Sequence, residues 1–556
     1  MVCVVALTFH TERAAAAGYT VNALTDNGGA SGTAGDLRYA INQVNNSTDA
    51  GNTITFGVTG TITLSSALPA LAKPVAITGP TSGAGITVDG GGNVQIFVVN
   101  SGVTASISNL TIANGNGISG GGIHNNGTLM VTNSALSDNS ASYGGGIYNQ
   151  NRSTLTVTNS TFSGNTTVGG FGGGIHNAVG GMLTVTNSTL SGNTASNGGS
   201  GGGISIFGGT VNLTNTIVAG NTGGDISGAV VSHGHNLIGT TSGSTGITNG
   251  DAQGDIVTAM PLLSVFGSYG GPTQTVALLP GSPAIDAGDD IVCAGTGPAG
   301  VNNKDQRGNT RSGNGAHCDI GTFESHVFTL ATTNGDNQST SINTPFDPLV
   351  VTVTATVAGE PVEGGIVTFT GPPSGAGIVP SPVVVTITGG QARITPTANG
   401  IPGGPYSVMA AVATGTTPPV VSFALLNALL TRINPASGAT AGGNLVTLSG
   451  QGFGTATNTV VVLDGVALPA TAIRSVTATT ITYTAPAHGS GTVTVKVVIG
   501  GVTVSGSVTY TYGPEMPVPA PRSGGGTDSH PVALPGSRPG GVIGGAAPNP
   551  APPPRP

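Results

Sequence analysis

At 556 residues the chain is long enough for three or four domains. Only 6% of it is Asp, Glu, Lys or Arg, against about 25% in an ordinary soluble protein. With 96 glycines, 4% aromatic residues and no tryptophan, it has neither the charged surfaces of long helices nor the large aromatic anchors of a conventional core. The net charge of −8 offers no basic stripe to nucleic acid. No apolar run reaches the roughly 18 residues of a transmembrane helix. Apolar residues, mainly Val, Ile and Leu, still make up 37% of the chain. Together with Asn, Thr, Ser and Gly turns they point to an almost all-β protein.

In chain order, an apolar stretch over 2–9 followed by small residues over 14–18 predicts a secretory signal peptide at 1–18. Leu37, Ile41 and Val44 have helical spacing and predict an amphipathic capping helix. Short strands are expected at 61–64, 75–78, 86–89, 96–99 and 107–112.

A repeat follows. Gly-Gly-Gly-Ile stands at 120–123, 144–147, 172–175 and 201–204. Leu-x-Val-Thr-Asn-Ser stands at 129–134, 155–160 and 183–188, and its variant Val-Asn-Leu-Thr-Asn-Thr at 211–216. A third element ends at Asn139, Asn165, Asn193 and Asn221. One such unit cannot bury its own Leu, Val and Ile, but stacked units can, each strand pairing with its equivalent about 4.8 Å away. Like residues then stack on like, and the four asparagines form an inward ladder that satisfies buried turn amides. The expected fold is a right-handed parallel β-helix, a pectate-lyase-like solenoid running from near Thr20 to about Leu263.

Thr20-Val-Asn-Ala-Leu-Thr-Asp26 and Gly35-Asp-Leu-Arg-Tyr-Ala-Ile41 resemble the opening of exported bacterial proteins with CSLREA and choice-of-anchor Q domains. The Cys and Ser of that family's opening are missing, and Tyr39 replaces its Glu. Ser232-His-Gly-His-Asn-Leu-Ile-Gly239 resembles the segment that closes the family's helix. Ser282-Pro-Ala-Ile-Asp-Ala-Gly288, Asp305-Gln-Arg-Gly308 and Cys318-Asp-Ile-Gly-Thr-Phe-Glu324 resemble its C-terminal signature. The Gly-Gly-Gly-Ile units are also similar to those of polymorphic outer-membrane adhesins. Alternation over 345–428 is similar to bacterial Ig-like repeats, and Asn434-Pro-Ala-Ser-Gly438 with Gly452-Phe-Gly454 resembles an IPT/TIG domain. The expected organisation is a signal peptide at 1–18 and a β-helix with its end region at 19–325. An Ig-like domain at 326–428, an IPT/TIG domain at 429–512 and a disordered tail at 513–556, half of it Pro and Gly, complete the chain.

Cys293 and Cys318 are the candidate disulfide of an oxidising compartment; with His317 alone beside them a zinc site lacks a fourth ligand. Gly115-x-Gly117-x-x-Gly120 and Gly117-Ile-Ser119-Gly-Gly121 match dinucleotide and nucleophile-elbow patterns but precede no helix. Asn159 and Asn187 fit a glycosylation pattern, and their recurrence at one coil position reads instead as stacking. A β-helix polysaccharide lyase or glycoside hydrolase is the alternative function, and it needs paired carboxyls or an acid cluster with a base. Between Gly90 and Gly250 the charged residues are Asp138, Arg152 and Asp225 alone. His233 and His235 lack the paired aspartates that would make them catalytic. Asp251, Asp255, Asp286, Asp289 and Asp290 are candidates for calcium. No catalytic, cofactor or resident metal residue is assigned. The expected protein is a monomeric, secreted or cell-surface adhesin or structural protein, its β-helix face meeting a surface glycan or another cell-surface component.

Overall fold

The computed structural model describes residues 17–28, 30–32, 34–49, 51–296, 300–311, 317–413 and 418–514. The expected signal peptide, except its last two residues, and nearly all of the 513–556 tail lie outside them.

The front of the chain is a parallel β-solenoid. Its coils contribute strands to an 11-stranded, a 9-stranded and a 7-stranded sheet, and four of them add a short 4-stranded sheet. These coils are thus four-sided, one side more than the two or three strands per unit read from the repeat. Register is strict: Leu129 lies beside Leu155, Leu155 beside Leu183 and Leu183 beside Val211. Ile123, Ile147, Ile175 and Ile204 form a second interior row, and Leu136, Phe162 and Leu190 a third. All of these are buried in one continuous core.

The triple glycines exist because neighbouring coils come too close for a side chain. A Cβ on Gly146 would lie 2.6 Å from the carbonyl oxygen of Gly174, and one on Gly174 2.6 Å from that of Gly203. Gly144 and Gly172 also sit at φ 61° and 71°, where an L residue is strained. The expected single strand over 107–112 is two strands, Thr104–Ser108 and Leu110–Ala113, turned at Asn109 in the left-handed conformation. Asn133, Asn159, Asn187 and Asn215 repeat that corner at φ 47–51°, which asparagine tolerates better than most L residues.

The helix Leu37–Asn46 buries Leu37, Ala40, Ile41 and Val44, and Asp36 caps it by accepting from the Tyr39 amide. At the other end the coils continue through the Ser232–Gly239 segment, since Leu237–Ile238 pairs with Ile217–Val218 and then with Ile256–Val257.

The segment that follows forms a layer against the side of the solenoid. Its hairpin Leu263–Gly267 with Thr275–Leu278 and its short helix Asp290–Ala294 lie in this layer. Outward-facing Ile217 and Leu237 share a core with Ala277, Ile320 and Phe323 of the layer and with Phe346, Val351 and Phe369 of the first sandwich. The second sandwich has its own core around Val446, Leu448, Val495 and Tyr483. One 15-residue strand, Val420–Asn434, pairs with Gly403–Ala411 in the first sandwich and Leu445–Gln451 in the second.

Leu155→Ala should lower unfolding free energy by roughly 2–5 kcal/mol, since it opens a cavity in a row that relaxes little. The outward neighbour Thr156→Ala should stay within about 0.5 kcal/mol. Urea denaturation of the two variants measures the difference.

Candidate functional site: the ladders and outer faces of the solenoid

Asn139, Asn165, Asn193 and Asn221 occupy one corner, one per coil. Each side chain donates from Nδ2 to the Oδ1 of the next, at 2.9, 2.8 and 2.9 Å. The same Nδ2 atoms also donate to the carbonyls of Ile112, Leu136, Phe162 and Leu190. Every Oδ1 accepts an additional backbone N–H; that of Asn139 takes the Gly115 amide at 2.8 Å. The row ends on Asp225, whose Oδ1 accepts from both the Asn221 amide and its Nδ2. Burial raises the Asp225 pKa, and the amides of Asn221 and Thr240 work against that rise.

A second row runs Ser134, Ser160, Ser188, Thr216, Asn236 and ends on Asp255, which accepts from Asn236 at 2.9 Å. A third row, Asn125, Asn149 and Asn177, is hydrogen-bonded at 2.8 and 2.7 Å. It follows the Ile of the first three triple-glycine units by two residues, a spacing present in the sequence but not read there.

Asp138, Arg152 and Asp225 do not converge. Asp138 and Arg152 sit at separate corners in left-handed conformations, while Asp225 closes the interior row. The calcium candidates do not form one site: Asp251 holds its own turn, Asp255 ends a ladder, Asp289 caps the short helix, and Asp286 lies within electrostatic reach of Asp290 and His317, its pKa raised chiefly by burial. Asp290 accepts from the Cys318 amide. Among the described residues no three His, Cys, Asp or Glu side chains gather as a metal would require. His235 bonds the Ala287 carbonyl and His233 the Asn212 side chain. Ser119 ends a strand of the short sheet, so neither glycine pattern opens a helix.

Cys293 and Cys318 are joined as a disulfide within the lateral layer, and His317 is paired with Asp290. The signature residues around them hold this layer in place. Gln306 accepts from Thr161 at 2.6 Å, and Thr322 and Thr275 complete a buried hydroxyl cluster with Thr161 and Thr189. Arg311 is fully buried and donates to Asn159 of the solenoid at 2.8 Å and to the Gly321 carbonyl. Arg307 lies 3.4 Å over the Phe323 ring, pairs with Asp305 at 2.7 Å and reaches Glu360 of the first sandwich. Buried Asp319 has its pKa raised well above the usual carboxylate range by burial and by the charge of Glu324. Asn159 and Asn187 are themselves buried under this layer.

Two exterior features remain. On the large sheet, outward residues form rows of neutral groups: Ser106, Met130, Thr156, Thr184 and Asn212, and beside them Ser108, Thr132, Thr186 and Thr214, with Thr158 of the same row buried. At the corner between the short sheet and the 7-stranded sheet stand five rings. Tyr143 and Phe171 are 6.2 Å apart between centroids, Tyr148 and His176 5.4 Å, and His124 and Tyr148 5.2 Å. Tyr143 is 41% and Phe171 38% exposed, and neighbouring Ile118 and Val168 are more exposed still. This cluster was not read from the sequence. Its signal is that Tyr143 and Phe171 each precede a triple glycine and Tyr148 and His176 each follow the Ile after it.

Residues 428–512 match the IPT/TIG domain family, and no curated protein matches the chain. Among solved structures, invasin, a bacterial integrin-binding protein, aligns at 20% identity over 34% of this chain and 40% of its own, with a TM-score of 0.15. The major allergen from cedar pollen aligns at 18% identity over 43% and 77%, with a TM-score of 0.28. FdeC, an Escherichia coli adhesin, aligns at 11% identity over 36% and 71%, with a TM-score of 0.21. The chain spans 40% of invasin and 21% of a plexin A4 extracellular region, less than two thirds of either.

Asn165→Ala strips acceptors from Asn139 and a donor from the Leu136 carbonyl. At about 1–3 kcal/mol for each buried group left unpaired, it should be among the most destabilising single changes in the rod. Asn126→Ala, at a half-buried turn, is the denaturation control. A second expectation concerns His176, whose pKa burial pushes down to about 4 from 6.5. The unfolded chain then binds the extra proton between those values, so this histidine's contribution to stability is complete above pH 6.5 and falls as pH drops toward 4. His176→Gln should flatten the stability–pH curve in that window, as thermal denaturation across a pH series would register.

Proposed function

We propose that the protein is a non-enzymatic adhesion or structural protein of the cell surface or extracellular space, with the exterior of its β-solenoid binding glycans. The observation that carries this reading is the uncharged outer face of the large sheet: rows of Thr, Ser and Asn side chains in register from coil to coil. Such a surface offers many shallow, neutral hydrogen-bonding contacts to a polymer of hydroxyl groups. It offers no paired carboxyls to break a glycosidic bond. Two acids of the solenoid's last coils, Asp225 and Asp255, are engaged in closing its ladders. The disulfide suits an oxidising compartment, and the sandwiches beyond the lateral layer suit a role as spacers.

A pull-down of the full chain on insoluble bacterial, plant and host surface polysaccharides should retain it, with no reducing ends or unsaturated uronates released during prolonged incubation. Product release would replace this reading with the polysaccharide lyase or hydrolase. Failure to bind any of these polymers would leave the adhesion reading without support.

A further inference from the structure

Resting on the reading that the solenoid exterior binds glycans, we infer that the aromatic corner formed by Tyr143, Tyr148, Phe171 and His176 is its sugar-stacking site. The ligand is a neutral, extended, equatorially linked pyranose chain lying along the solenoid axis.

Aromatic residues make up 4% of the chain and include no tryptophan, yet this corner gathers three of them with two histidines in adjoining coils. Elsewhere in the solenoid most apolar side chains point into its core or under the lateral layer, although Val179, Met182 and Phe207 are exposed as well. Here Ile118, Tyr143, Val168 and Phe171 remain open to solvent, with no covering element among the described residues. Exposed large apolar groups brought together on one corner mark a contact surface.

The chemistry of the occupant follows from what surrounds the rings. Ser119 is the register partner of Tyr143 and Ser142 precedes it in the chain, and the charged residues of the whole span between Gly90 and Gly250 are only three. A charged polymer would find no counter-ion here, and an apolar helix would lie against hydroxyls it cannot pair. A pyranose with equatorial substituents has apolar C–H faces and a belt of hydroxyls, so it matches both parts of the surface. Aromatic rings give sugars a large, rigid contact at little entropic cost. His176 is 5% exposed and parallel to Tyr148 within 5°. It therefore backs the tyrosine as a neutral ring, and its Nδ1 has no hydrogen-bond partner among the described residues.

Spacing gives an independent argument. Tyr143 and Phe171 are register partners in neighbouring coils, as are His124, Tyr148 and His176. The exposed row therefore sets one ring in each of two neighbouring coils, 6.2 Å apart between centroids where the backbones rise about 4.8 Å, a step on the order of one residue of an extended, equatorially linked pyranose chain. A polymer running along the axis thus presents successive sugars to successive coils. Bent or axially linked chains lose that match after one ring.

The test uses the full chain, with cellohexaose and chitohexaose as probes and an α-linked mannan and polygalacturonate as comparators, by isothermal titration calorimetry. Wild type should bind one or both β-linked hexamers in preference to the comparators. The exposed-site double variant Tyr143→Ala/Phe171→Ala should bind at least tenfold more weakly with an unchanged unfolding midpoint. Ile118→Ser supplies a milder second variant, expected to weaken binding several-fold. Undiminished hexamer binding by both variants would overturn the aromatic corner while leaving the adhesion reading standing. Stronger binding of wild type to mannan or polygalacturonate would overturn the proposed ligand. If no polysaccharide binds wild type, the underlying reading fails and the corner with it. Concentration-dependent dimerisation of wild type, abolished in the double variant, would make the corner an interface between copies and overturn the proposal.

Discussion

The structure depends on one constraint: each coil must find hydrogen-bond partners for its buried corners in the coil above and the coil below. A turn that enters the interior carries amides and carbonyls that water cannot reach, and an unpaired one costs about as much as the hydrogen bond it lacks. Asparagine solves this because its side chain accepts on one side and donates on the other. Stacked in register, each Asn passes a bond onward while also satisfying backbone on both sides. Such a directional chain must end on a group that only accepts. Asp225 and Asp255 stand where the two corner rows stop, and a carboxylate is the side chain that accepts without needing to give. The cost appears as the upward shift of the Asp225 pKa, caused first by burial.

The same constraint explains the scarcity of charge. A charged residue at a repeated position would face its own kind about 4.8 Å away in the next coil, and like charges placed opposite each other are destabilising. Charges are therefore tolerated where the repeat is broken: at turns such as Asp138 and Arg152, at the end of a row, or in the lateral layer. Thinning them out also removes the raw material of a hydrolytic site, because two carboxyls rarely fall within one coil of each other.

Much of this was legible in the sequence, since a row of identical residues at a fixed period announces which atoms will touch. Asn139, Asn165, Asn193 and Asn221 are such a row. The position of the lateral layer was not legible. Its contacts join Thr161 to Gln306 and Asn159 to Arg311, pairs separated by 145 and 152 residues, and nothing local in either partner encodes the other. The aromatic corner was hidden for another reason. Tyr143 and Phe171 become register partners only across an irregularity in the strand pairing, and their different side chains do not read as a repeat.

The lateral layer changes what an outward-facing residue means. Thr161, Thr189 and Ile217 point away from the solenoid core as surely as Thr156 or Tyr143, yet all three are buried. On that side the rod is an inner wall, and its hydroxyls exist to meet Gln306, Thr275 and Thr322. Arg307 carries the connection onward, because it packs on Phe323 inside the layer and pairs with Glu360 in the first sandwich. A fragment cut at 325 would therefore remove one of the two carboxylates paired with that guanidinium and open the core shared by Phe323 and Phe369. The layer thus ties the solenoid to the sandwich beyond it. It also sorts the faces: the wall it covers is structural, and residues left exposed elsewhere, among them the rings at the short-sheet corner, have no such partner among the described residues.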